Sequence, residues 1–69
     1  MPSTVIRRHG YDETRQLLDV TFQSGRLYHY HNVPQNIADG LDEAPSKGEF
    51  FNAFIRDHFR YEPDTGNPN

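Results

Sequence analysis

Cysteine and tryptophan are missing from this 69-residue chain, and methionine occurs once. Without thiols there is no disulfide framework and no thiolate metal site, so packing alone must hold the fold. A cysteine-free composition also suits a reducing cytoplasm. Long apolar runs are missing too. The N-terminus carries no secretion-signal pattern, and no stretch approaches the ~20 apolar residues that span a bilayer. The expectation is a cytoplasmic protein that does not enter a membrane. Aliphatic and phenylalanine residues are scarce, with Leu, Ile, Val and Phe numbering 15 of 69. That is close to the roughly 20% below which chains stay disordered. Nine aromatic rings and a net charge of only −3 tip the balance towards one small folded domain.

A basic excess is lacking as well: seven Lys and Arg stand against ten Asp and Glu. Nonspecific nucleic-acid binding draws most of its affinity from counterion release at a concentrated basic face. Bulk charge therefore argues against it and leaves only a local patch. Catalytic signatures are equally scarce. There is no cysteine nucleophile, nucleophile elbow, phosphate loop or paired-carboxylate constellation, and so small a chain seldom builds a catalytic cleft. We read a non-enzyme with no cofactor.

What is present has a clear order. Residues 3–11 are rich in strand formers and stop at the polar turn Asp12-Glu13-Thr14-Arg15. Leu18, Val20 and Phe22 then alternate with Asp19 and Thr21, the period of a half-buried strand. Gly25 is the natural left-handed position of a short turn. The strand Leu27–Asn32 follows it, with Tyr28 and Tyr30 on one face and Leu27, His29 and His31 on the other. Pro34 starts a helix running to Ala44, because proline's missing N–H is harmless in a first turn. Gly40 weakens that helix by about 1 kcal/mol, and Pro45 breaks it. Ser46 and Glu49 have capping-box spacing. Phe50, Phe51, Phe54, Ile55, His58 and Phe59 continue as one helical stripe. From Tyr61 onward the chain lacks core residues and contains two prolines, so residues 61–69 read as a flexible tail. The expected architecture is α+β: a three-stranded antiparallel β-meander followed by two helices packed on one sheet face (βββαα).

Gly10-Tyr11-Asp12, Leu18-x-Val20-x-Phe22, Gly25, Tyr28-x-Tyr30 and Val33-Pro34 occur in that order. They are followed by Leu41, Ala44, Ser46-x-Gly48, Phe50-Phe51-Asn52 and Ile55-Arg56. The ordered set resembles the KTSC domain, named for a short C-terminal extension of some lysyl-tRNA synthetases, and covers residues 3–60. His9 departs from the pattern, which favours an apolar residue there. The family includes stand-alone small bacterial and phage proteins. The resemblance implies RNA binding, through the synthetase association, and carries over no catalytic residue.

Candidate sites follow from this layout. Tyr28 and Tyr30 can form a base-stacking platform or can face the helices. Alternation favours the second reading, because Leu18, Val20 and Phe22 need the same covered face. His9, His29 and His31, with Asp19, can share the opposite face. Strand spacing sets the outer histidines about 9–10 Å apart, so solvated histidines are expected rather than a metal site. Arg26, Lys47, Asn52 and Arg56 form a polar fringe suited to phosphate or carboxylate. The residues proposed to touch nucleic acid are thus Arg26, Tyr28, Tyr30, Lys47, Asn52 and Arg56. The leading expectation is a noncatalytic module that binds RNA or a ribonucleoprotein. The alternative is a protein-interaction module, forming a homodimer or capturing a partner through the open sheet face or an edge.

Overall fold

Leu18 and Val20, two residues apart, are both fully buried, which fixes one face of β2 (Leu17–Phe22) against the core. The structure, a computed structural model, describes residues 6–64, so the first residues of the expected N-terminal strand lie outside the described range. β1 (Ile6–Asp12) pairs antiparallel with β2, and β2 with β3 (Leu27–Tyr30). Asp12 closes the first hairpin: its carboxylate accepts from the backbone N–H groups of Thr14 and Arg15, and from Nε of Arg15 at 3.0 Å. Gly25 turns the second hairpin with φ +95°, the left-handed conformation expected there.

The sheet has four strands, not the expected three. β4 (Tyr61–Pro63) pairs antiparallel with β3, giving the order β1-β2-β3-β4. The segment read as the start of a tail is therefore paired over Tyr61–Pro63, and residues 65–69 lie outside the described range.

A β-bulge displaces the far end of β1. Ile6 pairs with Phe22 but Arg8 pairs with Thr21, so the register shifts across Arg7. A bulge changes which face later side chains occupy. His9 consequently pairs with Val20 and lies on the helix-covered side, where its Nε2 is 3.2 Å from Asp42. The expectation that His9 joins His29 and His31 on the open face is wrong for this reason. It also shows how the chain accommodates a polar residue before Gly10: the ring sits at the rim of the core, bonded to the first helix.

That helix, α1 (Gln35–Glu43), begins one residue later than expected, with Pro34 as its N-cap rather than its first residue. α2 (Lys47–Phe50) is capped by Ser46, whose hydroxyl accepts from the Glu49 N–H at 3.3 Å. It continues as a π-helical segment, Phe51–Ile55, closed by the Arg56 N–H donating to the Phe51 carbonyl at 2.8 Å. Such a turn widens the helix and rotates later side chains off the expected stripe. Phe51 and Ile55 are buried, but Phe54 is 51% exposed. The helix stops before His58 and Phe59 because Asp57 adopts φ +66°, a conformation aspartate tolerates better than most residues. Ala38, Leu41, Phe51 and Ile55 meet Leu18, Val20 and Tyr30 in a single core, placing both helices on one sheet face.

Candidate functional site

The π segment ends beside the β2–β3 turn, and the two leave a groove of about 510 Å³ between them. Its floor and wall are aromatic: Phe22, Tyr28, Tyr30, Phe51 and Tyr61. The rings are mutually braced. Phe22 meets Tyr28 and Phe51 edge-on, with centroids 5.5 and 5.3 Å apart. Tyr61 stacks on Tyr30 at 5.3 Å and leans against Tyr28 at 5.5 Å. Edge-to-face and offset contacts of this kind fix ring orientation beyond what area burial does.

The rim is polar. Arg26 projects from the turn side, and Asn52, Arg56 and Asp57 come from the helix end. Arg56 Nη1 donates to Asn52 Oδ1 across 3.5 Å, one helical turn apart. Among the described residues neither Arg26 nor Arg56 pairs with a carboxylate. Two guanidiniums thus flank an aromatic trough with their donors available, the arrangement that suits phosphate or carboxylate oxygens.

Five residues singled out from the sequence meet here: Arg26, Tyr28, Tyr30, Asn52 and Arg56. Lys47 does not line the groove; its ammonium donates to the Ala44 carbonyl at 3.3 Å and serves the α1–α2 junction. The tyrosines divide between the two expected roles. Tyr30 is buried and Tyr28 partly so, yet both line the groove. Burial, aided by the neighbouring tyrosines Tyr61 and Tyr28, pushes the Tyr30 hydroxyl up to about 12, so it stays a neutral donor at physiological pH. Sequence reasoning missed Tyr61, which is 50% exposed and presents the most accessible ring of the wall. The alternation Tyr61-Glu62-Pro63 was the one signal for it, too short to register as a strand.

The opposite sheet face carries a different chemistry. His29 Nδ1 meets Asp19, and its Nε2 lies 3.0 Å from Asp64. His31 Nε2 is 3.1 Å from Glu62. Both nitrogens of the His29 ring are therefore engaged by carboxylates. Asp64 first, and Asp19 second, hold the imidazole above its ordinary value of 6.5. A protonated ring suits this setting because it donates from both nitrogens. A metal ion would have to displace one of these bonds, and among the described residues no group of three or more His, Asp or Glu side chains is placed to hold one. Also among the described residues, no helix is long and apolar enough to cross a membrane.

Comparison with known proteins gives a consistent result. Residues 2–65 match the sequence model of the KTSC domain. The chain is 42% identical to a lysine–tRNA ligase of Nostoc punctiforme over 59 residues, which are 86% of this chain but 10% of that protein. An uncharacterized protein of Stutzerimonas stutzeri is 44% identical over 62 residues, covering 88% of this chain and 87% of that one. The crystal structure of a KTSC domain protein from Yersinia pestis superposes with a TM-score of 0.84 at 29% identity, covering 93% of each chain. The match thus spans about a tenth of the synthetase and nearly all of the small relatives.

Proposed function

The chain belongs to the KTSC domain family, and from that premise we propose that it is a noncatalytic binding module for RNA or a ribonucleoprotein, working through the groove beside the π segment. The observation that carries this reading is the convergence of Arg26 and Arg56, free of carboxylate partners among the described residues, on a trough walled by tyrosines. Occurrence of the same domain within lysine–tRNA ligases supports RNA over other polyanions. The net charge of −3 is less adverse than it first looks. Asp19, Glu62 and Asp64 lie with the histidines on the far sheet face, away from the groove. The groove offers no histidine and one carboxylate, Asp57, which supports binding rather than acid–base chemistry. A cytoplasmic location accords with this role.

Fluorescence anisotropy of labelled tRNA at about 50 and 200 mM salt tests the proposal, since phosphate contacts make affinity fall with salt. We expect micromolar binding that weakens with salt and drops about tenfold or more in the Arg26→Ala/Arg56→Ala variant. No binding at 100 μM protein at either salt concentration overturns it.

One observation favours a second reading, a protein-interaction module. Phe54 is exposed beside Phe50, with ring centroids 4.7 Å apart, in a shallow apolar depression with Pro45 and Ala53. If this surface mediates association, sedimentation will show a dimer or a captured partner that Phe54→Ser abolishes. The open sheet face is a weaker candidate, because its histidines are already engaged by carboxylates of the same chain.

A further inference from the structure

Resting on the RNA-binding reading, we infer that the groove accepts one unstacked nucleotide of a single-stranded RNA, its base against Tyr61 and Tyr28 and its two flanking phosphates held by Arg26 and Arg56. Three observations carry this choice.

The first is ring accessibility. Tyr30 and Phe51 are 4% exposed, so they brace the wall but offer no open face. Tyr61, at 50%, and the half-buried Tyr28 and Phe22 present ring surface. Phe22 stands edge-on to Tyr28 at 78° and Tyr28 leans on Tyr61 at 59°, so the rings form a corner instead of a flat platform. A corner accommodates one base, whereas successive bases need a row of exposed rings.

The second is shape. A groove of about 510 Å³ lies in the range of small-ligand sites, about 300–1,000 Å³. An A-form duplex keeps its bases stacked inside and shows a protein only its backbone and shallow minor groove. It cannot bring a base face to Tyr61. A loop, bulge or terminal nucleotide can.

The third is charge. Two guanidiniums border the groove, and Asp57 at the helix end repels phosphates beyond Arg56. The site therefore neutralises about two phosphates. Asn52, whose Oδ1 accepts from Arg56, keeps its amide N–H₂ for an acceptor on the base or ribose.

The experiment is a titration of the full chain with a labelled single-stranded RNA hexamer of mixed sequence, and with the same hexamer annealed to its complement. With two phosphates neutralised, log affinity should fall against log salt with a slope of about −1.4. The duplex should bind at least tenfold more weakly. Tyr61→Leu, which keeps an apolar side chain against Tyr30 but removes the aromatic face, should weaken single-strand binding about tenfold, and Tyr61→Phe should retain it. A duplex bound as well as the single strand overturns this inference and leaves the RNA-binding reading intact. So does a slope steeper than about −3, or a Tyr61→Leu variant that binds normally. If neither hexamer nor tRNA binds, both readings fall.

Discussion

His29 Nε2 and Asp64 Oδ1 stand 3.0 Å apart across 35 residues of sequence, tying the residue after β4 to the strand beside it. The Nδ1 atom of the same ring meets Asp19 on β2, so one imidazole links three neighbouring segments. His29 is held above 6.5 chiefly by Asp64. A raised folded value means that the stabilisation is complete below about 6.5 and is lost as pH rises through the folded value. Asp12 has the opposite sign. Its hydrogen bonds to Arg15 hold it below 3.8, so its contribution is lost as pH falls into that lower range. Thermal melts should therefore show a plateau between about pH 4 and 6.5, with Tm declining on the alkaline side. His29→Gln should flatten that decline; an identical alkaline slope in the variant would show that His29 is not its source.

Gly40 owes its place to Phe50. A methyl group added there would lie 2.5 Å from the tip of the Phe50 ring, so the usual gain of about 1 kcal/mol from Gly to Ala in a helix is offset by displacing that ring. Gly40→Ala should be neutral or destabilising alone, yet stabilising by up to about 1 kcal/mol in a Phe50→Ala background. Chemical denaturation of the four proteins in the cycle measures the coupling; strict additivity would contradict it.

Removing the Ser46 hydroxyl should cost about 1 kcal/mol, the usual effect of losing an N-cap. For a domain of this size that lowers Tm by roughly 4–8 °C. Ser46→Asp, which restores an acceptor for the Glu49 N–H, should recover most of the loss. A Ser46→Ala protein with unchanged Tm would mean the bond is not maintained in solution.

Gly25→Ala meets no steric obstacle from neighbouring atoms, so any cost arises from the backbone alone. At φ +95° an L side chain is strained by about 1–3 kcal/mol. Gly25→Asn, a residue that tolerates positive φ better, should lose less than Gly25→Ala in urea denaturation. The reverse order would contradict this account of the turn.

Much of this fold is legible because its signals are local. The alternation Leu18-Val20-Phe22, the glycine at 25, the proline at 34 and the serine at 46 each state their role within a few residues. The features that escape are decided elsewhere in the chain. β4 is short and polar, and it is held through His31–Glu62 and His29–Asp64, pairs 31 and 35 residues apart. The bulge at Arg7 moves His9 to the covered face without any glycine or proline to announce it. The π segment likewise has no sequence mark, yet it exposes Phe54. The site shares this division. Arg26, Tyr28, Tyr30, Asn52 and Arg56 could be grouped from strand parity and helical spacing. Lys47 bonds to a loop carbonyl that only the α1–α2 geometry brings near, and Tyr61 joins the wall only once β4 pairs.

Backbone bonds from the Asp64 N–H to Leu27 and from His31 to the Arg60 carbonyl set the phase of β4, turning the nitrogen of Pro63 outward. A proline there withholds a donor from any incoming chain at no cost to the sheet. β4 thus works as a guard rail along Leu27–Tyr30, whose edge would otherwise be a template for strand-to-strand growth between molecules. Shortening the chain after Arg60 should therefore yield a protein whose failing is self-association, visible by light scattering as concentration rises.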